Sequence, residues 1–450
     1  MEVTNTTPCL FSKIPVEILT EIFRIATGRS ITPNSTLPSF LLDFAGVTIR
    51  APFNFTAVSH YWRDAALSSR HLWSSLTFLT LKRVGRRRSK SFLAFVDMIL
   101  NRAEGTTLSF FLRPIDLEPK QMDLYHQILD LVIQRSMDWR KIHFLATRKS
   151  MQALATVQGR VPNLQYLNID GSFLTQADDA PFTMFSDAPK LIYFSAVQCN
   201  LDEFDIPWNQ IRKGYFEDSR PHALDILERM PHAEKMEILD MNDFAVEYAS
   251  SRNLVLPWLV SLHVKNKGGS EDFPIEHLTL PALHHLDICD IDISRLIHHL
   301  PPFLSRSACS IRELVIGNWT EHVGTTQWIV LLKLVPSLES LLIAGENIDD
   351  AFFHSLAKSG TDAEPSILPR LQTLEVDARA IGAGLVDFLE SRAQVLKNVK
   401  LGGFGNVDVD DAVLDRLLTV VNTHQEGLLF AVPKSMKQRW EDRRRDLGLC

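Results

Sequence analysis

The residues able to do chemistry are few and poorly placed for it. His284-His285 and His298-His299 are adjacent pairs, and neighbours in a strand face opposite sides, so neither pair is set to share a metal ion. Five cysteines, Cys9, Cys199, Cys289, Cys309 and Cys450, stand far apart, and no two have metal-ligand spacing. An odd, spread set reads as the reduced thiols of an intracellular chain. Gly402-Gly403-Phe404-Gly405 lacks the Gly-Lys-Ser/Thr of a phosphate-binding loop and reads as a turn after a strand. Neither a Gly-x-Ser-x-Gly elbow nor a His-Glu-x-x-His helix occurs. Asp408, Asp410 and Asp411 suit the positive end of a helix dipole. The expectation is no catalytic residue, no metal and no cofactor, hence not an enzyme. The rival is an enzyme whose titratable groups converge only in the fold.

Charge narrows the partners. Of 450 residues, 45% are apolar and 22% charged, the balance of a globular protein. Residues 1–100 hold 12 Lys/Arg and 6 Asp/Glu, about +6, whereas the remaining 350 hold 35 and 48, or −13. An acidic body is a poor partner for a phosphate backbone, so nucleic acid is not expected. Two basic clusters stand out. Lys82, Arg83, Arg86, Arg87, Arg88 and Lys90 read as a solvated linker or a nuclear-import signal. Lys434, Lys437, Arg439, Arg443, Arg444 and Arg445, mixed with Glu441, Asp442 and Asp446, read as a charged C-terminal helix. The most apolar stretch, Trp328–Val335, is eight residues long and contains Lys333, far short of the roughly 20 that a membrane span needs. Met1–Pro8 has no signal-peptide pattern. Cytoplasm or nucleus is the expected location, with no membrane partner.

The elements that must position any site repeat. One phrase, Pro-x-Leu-x-x-Leu-x-Leu with apolar substitutes, recurs as Pro162/Leu164/Leu167/Ile169, Pro189/Leu191/Phe194/Ala196, Pro231/Ala233/Met236/Ile238, Pro257/Leu259/Leu262/Val264, Pro281/Leu283/Leu286/Ile288, Pro336/Leu338/Leu341/Ile343 and Pro369/Leu371/Leu374/Val376. Copies without that proline start at Ile211, Ile311 and Leu396. Most steps between copies are 20–28 residues, the period of leucine-rich repeats. The last two anchors lie two apart and therefore on one side of a strand. Weaker copies precede them at Trp73-x-x-Leu76-x-Phe78 and Trp139-x-x-Ile142-x-Phe144, with a degenerate one ending in Leu108-x-Phe110. Between strands, Leu124/Ile128/Leu131/Val132, Leu385/Phe388/Leu389 and Val409/Val413/Leu417/Val420 carry helical spacing. The expected fold class is α/β, an irregular leucine-rich-repeat-like solenoid with parallel strands on its concave face. An ordinary doubly wound α/β domain is the alternative.

Residues 10–76 read differently. Pro15 and Glu17 suit the start of a short helix, and Ile18, Ile22 and Ile25 make an apolar stripe along it. A Ser/Thr/Pro-rich insertion, 27–52, comes next, then a helical stretch from Ala57 to Ala66 and the pair Leu72-Trp73. The phrases Ile14-Pro15-x-Glu17-Ile18-Leu19-x-x-Ile22-Phe23, Val58-x-x-x-Trp62-Arg63-x-Ala66 and Leu72-Trp73 resemble an F-box, in the version with a long insertion that is found in fungal F-box-like proteins. Ser59 and His60 stand where the family usually has a cysteine and a basic residue. Ser91–Leu112 also resembles the segment just C-terminal to the F-box in those proteins. A plain helical cap for the solenoid is the alternative.

The resemblance implies a docking module for the small acidic Skp adaptor, which joins F-box proteins to a cullin ubiquitin ligase. A module this small leaves apolar side chains over for a partner. Leu10, Ile14, Pro15, Ile18, Leu19, Ile22, Val58, Trp62, Leu72 and Trp73 are the expected adaptor contacts. A target protein would bind the concave face through residues flanking the middle anchor of each strand: Tyr166, Asn168, Tyr193, Ser195, Lys213, Tyr215, Lys235, Glu237, His263, His285, Asp287, Glu313 and Glu375. The three tyrosines are expected to be solvent-accessible anchors. The expected organisation is a disordered 1–9, the F-box at 10–76, a linker with degenerate repeats at 77–163, the repeat domain at 164–430 and a charged helix or cap at 431–450. The implied role is substrate recognition for the ligase. A non-degradative F-box/repeat scaffold is the alternative.

Overall fold

A computed structural model describes residues 14–28, 50–78, 89–112, 119–174, 181–241, 253–266, 274–290, 293–317, 323–357, 367–378, 380–402, 408–424, 428–432 and 436–447. The chain divides into two compact units, Met1–Pro221 and His222–Cys450. In the first, β1 (Ser75–Phe78), β2 (Leu108–Leu112), β3 (Trp139–Leu145), β4 (Tyr166–Asp170), β5 (Tyr193–Val197) and β6 (Lys213–Glu217) each pair in parallel with the next. The second holds β7 (Lys235–Met241), β8 (Leu254–Val255), β9 (Ser261–Asn266), β10 (Leu278–Thr279), β11 (His285–Cys289), β12 (Glu313–Gly317), β13 (Ser340–Ile348), β14 (Thr373–Ala378), β15 (Ala380–Ile381), β16 (Asn398–Gly402), β17 (Asp408–Val409) and β18 (Leu429–Ala431). There the parallel order is β7-β9-β11-β12-β13-β14-β16-β18, and β8–β10 and β15–β17 form two further parallel pairs. A doubly wound sheet must reverse its strand order at a switch point. Within each unit the order follows the chain throughout, so each is an α/β array wound in one direction.

The recurring phrase explains this regularity. Register places Leu262, Leu286, Leu314, Leu341, Leu374 and Val399 in one lateral row, and Val264, Ile288, Ile316, Ile343, Val376 and Leu401 in a second. None of the twelve is more than 2% exposed. Each such burial contributes about 1.5–3 kcal/mol. In the Ile211 copy the middle place falls to Gly214, opposite Phe194, and Phe216 comes next opposite Ala196.

The proline does more than avoid a ladder bond. In the seven proline copies the first anchor's N–H donates to the carbonyl three residues back, on Val161, Ala188, Met230, Leu256, Leu280, Val335 and Leu368, at 3.0–3.4 Å. Proline thus sits second in a turn, where its fixed φ is already suited. The residue before it is buried in every case. The true unit is therefore one apolar anchor longer at its start than the phrase read from the sequence.

Helices fill the crossovers, among them Ser89–Arg102, Pro119–Ile133, Arg148–Leu154, Ile293–Ser307, Thr325–Lys333, Asp350–Leu356, Ala383–Arg392 and Asp411–Thr423. Between β5 and β6 two short 3-10 turns, Leu201–Glu203 and Trp208–Gln210, suffice. Asp410 caps the helix Asp411–Thr423, its carboxylate accepting from the Ala412 N–H at 3.0 Å. Arg392 is buried and donates to the carbonyls of Leu356 at 3.0 Å, Leu368 at 2.6 Å and Ile367, locking its helix to the preceding helix and turn. The charged C-terminal stretch forms the helix Lys437–Asp446. Its Arg443 binds Asp415 through two bonds of 2.6 and 2.7 Å, and Arg439 binds Asp411 at 2.5 Å.

Candidate functional site

Among the described residues, the N-terminal module has three helices, Val16–Gly28, Arg50–Thr56 and His60–Ser68, and then the 3-10 turn Arg70–Trp73. The second helix starts inside the expected insertion, and the third starts at His60 rather than Ala57. Ser59 is the reason: its hydroxyl accepts the Trp62 N–H at 3.1 Å, so it caps the helix that it precedes. Aromatic rings knit the module. Phe23 stacks on Phe55 at 4.2 Å and meets Trp62 at 5.1 Å, and Phe53 meets Trp73 edge-on at 5.0 Å. The indole of Trp73 donates to Ala66 O at 2.9 Å, and the Tyr61 hydroxyl donates to Ile14 O at 2.5 Å.

This packing sorts the expected adaptor contacts by burial. Leu19, Leu72 and Trp73 are buried and hold the module together, so they are core rather than contact surface. Trp62 and Ile14 are half-buried, and Leu10 lies outside the described residues. Ile18 (55% exposed), Ile22 (44%) and Val58 (58%) face solvent, together with Ile25 and Pro15. Ile18, Ile22 and Ile25 are spaced i, i+4 and i+7, one continuous face of the first helix. The basic run Lys82–Lys90 lies outside the described residues except for its end, where Lys90 sits in the helix Ser89–Arg102.

The expected target face differs between the units. In the first, register lines up Phe111, His143, Asn168, Ser195 and Tyr215 in one row, and all five are buried. Phe111 stacks on His143 at 4.2 Å, and the Asn168 amide donates to Ser195 Oγ at 2.7 Å. The neighbouring row runs Lys141, Tyr166, Tyr193, Lys213, with the Lys141 ammonium 4.2 Å above the Tyr166 ring and the two tyrosine rings 5.4 Å apart. Tyr193 is 8% exposed and Tyr215 1%, and the Tyr215 hydroxyl donates to Glu217 Oε2 at 2.6 Å. The expectation of accessible tyrosine anchors is therefore corrected. Tyr193, Tyr215, Asn168 and Ser195 are interior, leaving Tyr166 half-buried and Lys213 exposed.

In the second unit the corresponding row is largely charged and mostly half-buried. Glu237, His263, Asp287, Val315, Leu342, Glu375 and Lys400 form one row by register. Glu237 is buried and paired with Lys235 at 2.9 Å. His285 pairs with Glu313 at 2.8 Å, and Lys400 pairs with Glu375. Three ligand-type side chains, His263, Asp287 and Cys289, offer donor atoms within 4.8 Å of one another. Cys289 is not among the residues that the sequence marks for a site. The signal lay in the repeat itself, because His263 and Asp287 occupy the same phase of successive copies.

Compared with known family models and with curated proteins, the chain matches none. Among the described residues, no helix is long and apolar enough to cross a membrane.

Proposed function

We propose that the protein is a substrate receptor of a Skp–cullin–F-box ubiquitin ligase. The helical module docks on the adaptor, and the strands are leucine-rich-type repeats that hold a target protein. The observation that carries this reading is the stripe Ile18, Ile22 and Ile25 with Val58: apolar and exposed, on a small module whose interior is packed by aromatic rings. An apolar stripe on so small a module is what a partner covers. The surplus of positive charge in residues 1–100 favours an acidic partner. The target face is the accessible part of the charged rows, chiefly Lys235, His285, Glu313, Glu375 and Lys400, and not the tyrosines.

The mechanism is positioning. A receptor that binds a target and a ligase at once raises the effective concentration of target lysines at the conjugating enzyme. No group of this chain needs to react. The test is co-purification of the Skp adaptor with the wild-type chain and with an Ile18→Asp/Ile22→Asp double variant. The adaptor should be retained by the first and lost by the second. Equal recovery from both would remove the docking assignment. Loss of the protein should then lengthen the half-life of whatever it captures, which a pure scaffold would leave unchanged.

A further inference from the structure

We infer that His263, Asp287 and Cys289 form a binding site for one divalent cation of the zinc class. The site is independent of the ligase reading and lies wholly in the second unit. Its geometry comes from strand pairing. His263 on β9 and Asp287 on β11 are direct register partners, and Cys289 stands two residues beyond Asp287 on the same side of its strand. Leu286 and Ile288, which alternate with them, are buried on the other side, so backbone and core fix the direction of all three side chains.

Two of the three spacings match the edges of a tetrahedral ion, and all three donors lie within 4.8 Å of one another. Cys289 Sγ lies 3.5 Å from Asp287 Oδ1, and His263 Nδ1 lies 3.6 Å from Asp287 Oδ2. A tetrahedral zinc with bonds of about 2.0–2.3 Å has ligand–ligand edges of about 3.3–3.8 Å. The 3.6 Å separation is too long for a hydrogen bond, and His263 Nε2 is buried with no hydrogen-bond partner. The imidazole is thus held beside a carboxylate without a hydrogen bond to it. A cation between Nδ1 and Asp287 Oδ2 would join a pair that no hydrogen bond links.

The donor set selects the ion class. One imidazole, one carboxylate and one thiolate are the ligands of zinc and cobalt, whereas magnesium and calcium take oxygen. Three protein donors leave the fourth position to water. Local charge is favourable. The nearby Lys265 ammonium is tied to Asp240 at 3.0 Å and stands 3.9 Å from Asp290, so its charge is already met by two carboxylates. Burial and the adjoining Asp287 push the Cys289 thiol up to about 12, so without metal the sulfur keeps its proton. Binding replaces that S–H bond with an S–metal bond and releases one proton to solvent.

Cobalt(II) titration of the full chain, freed of metal by a chelator, tests the site. One equivalent should bind, with a thiolate-to-cobalt charge-transfer band that zinc discharges. Cys289→Ser should abolish the band, and Cys309→Ser should leave it intact. His263→Gln and Asp287→Asn should each weaken cobalt binding at least about tenfold. If Cys289→Ser fails to fold by circular dichroism, those two variants decide the matter. No band in the wild type, a band that survives in folded Cys289→Ser, or unaltered affinity in both His263→Gln and Asp287→Asn would overturn the site.

Discussion

Asp350 and Gly384 are locked together across two helices. Asp350 Oδ2 accepts the Gly384 N–H at 2.8 Å, while its Oδ1 accepts the N–H groups of Gly382 and Leu385, each at 3.1 Å. One carboxylate near the start of the helix Asp350–Leu356 thereby caps the next helix, Ala383–Arg392. The approach is so close that a Cβ on Gly384 would collide with the Asp350 carbonyl oxygen, so only glycine fits. Asp350→Ala should cost about 2–3 kcal/mol in urea unfolding, since it strands three N–H groups at a helix N-terminus. Gly384→Ala should cost about 1–3 kcal/mol by overpacking. Unchanged midpoints in both would show that this junction contributes nothing to the second unit.

The two faces of the first helix should separate stability from binding. Ile18 and Ile22 are exposed, so aspartate there should move stability by no more than about 0.5 kcal/mol. Leu19 and Phe23 are fully buried, and alanine at either should cost about 2–5 kcal/mol. Chemical denaturation of the four single variants checks the division. A large loss at Ile18 or Ile22 would mean that the stripe is covered within the chain.

Tyr215 should behave as a core residue. Tyr215→Phe removes the bond to Glu217 and should cost about 1 kcal/mol. Tyr215→Ala removes a buried ring and should cost about 3–5 kcal/mol. Alanine at exposed Glu313 should leave the unfolding midpoint within about 0.5 kcal/mol of wild type. A stable, fully folded Tyr215→Ala would restore the tyrosine to the surface.

The strands were legible and their outer face was not, and the same period accounts for both. Alternation tells that Leu167 and Ile169 share one side and Tyr166 and Asn168 the other. It does not tell what lies over the second side, and in the first unit Asn168 and Ser195 are buried beside rings from neighbouring strands. The proline turns are not legible in the phrase, because the buried residue before each proline, such as Val161 or Leu280, lies outside its spacing. The cluster His263–Asp287–Cys289 shows no ligand spacing within any one segment. A parallel array instead joins residues one repeat apart, and the register His263↔Asp287 is that kind of pairing. In the N-terminal module, helical spacing found the stripe, but it could not separate exposed Ile18 from buried Leu19 without the packing of Phe23 on Phe55.

His126 should make the first unit acid-sensitive. It lies on the helix Pro119–Ile133, and its Nε2 is 3.0 Å from Thr147 Oγ1. Thr147 caps the helix Arg148–Leu154, its hydroxyl oxygen accepting the Ser150 N–H at 3.0 Å. Nε2 and the Thr147 hydroxyl thus share one hydrogen bond, whose direction depends on the imidazole tautomer. Burial above all, with Lys149 nearby, holds the imidazole below its ordinary value of 6.5. In the unfolded chain His126 takes its proton near pH 6.5; in the folded chain it resists. Below that point the unfolded state binds more protons, so stability is full above about pH 6.5 and is lost as pH falls through the folded value. Urea midpoints measured from pH 7.5 downward should therefore decline. His126→Gln keeps a group that can hydrogen-bond Thr147 but cannot titrate, so part of that decline should vanish. An identical pH profile for the variant would show that His126 does not set it, and a midpoint that rises on acidification would contradict the sign.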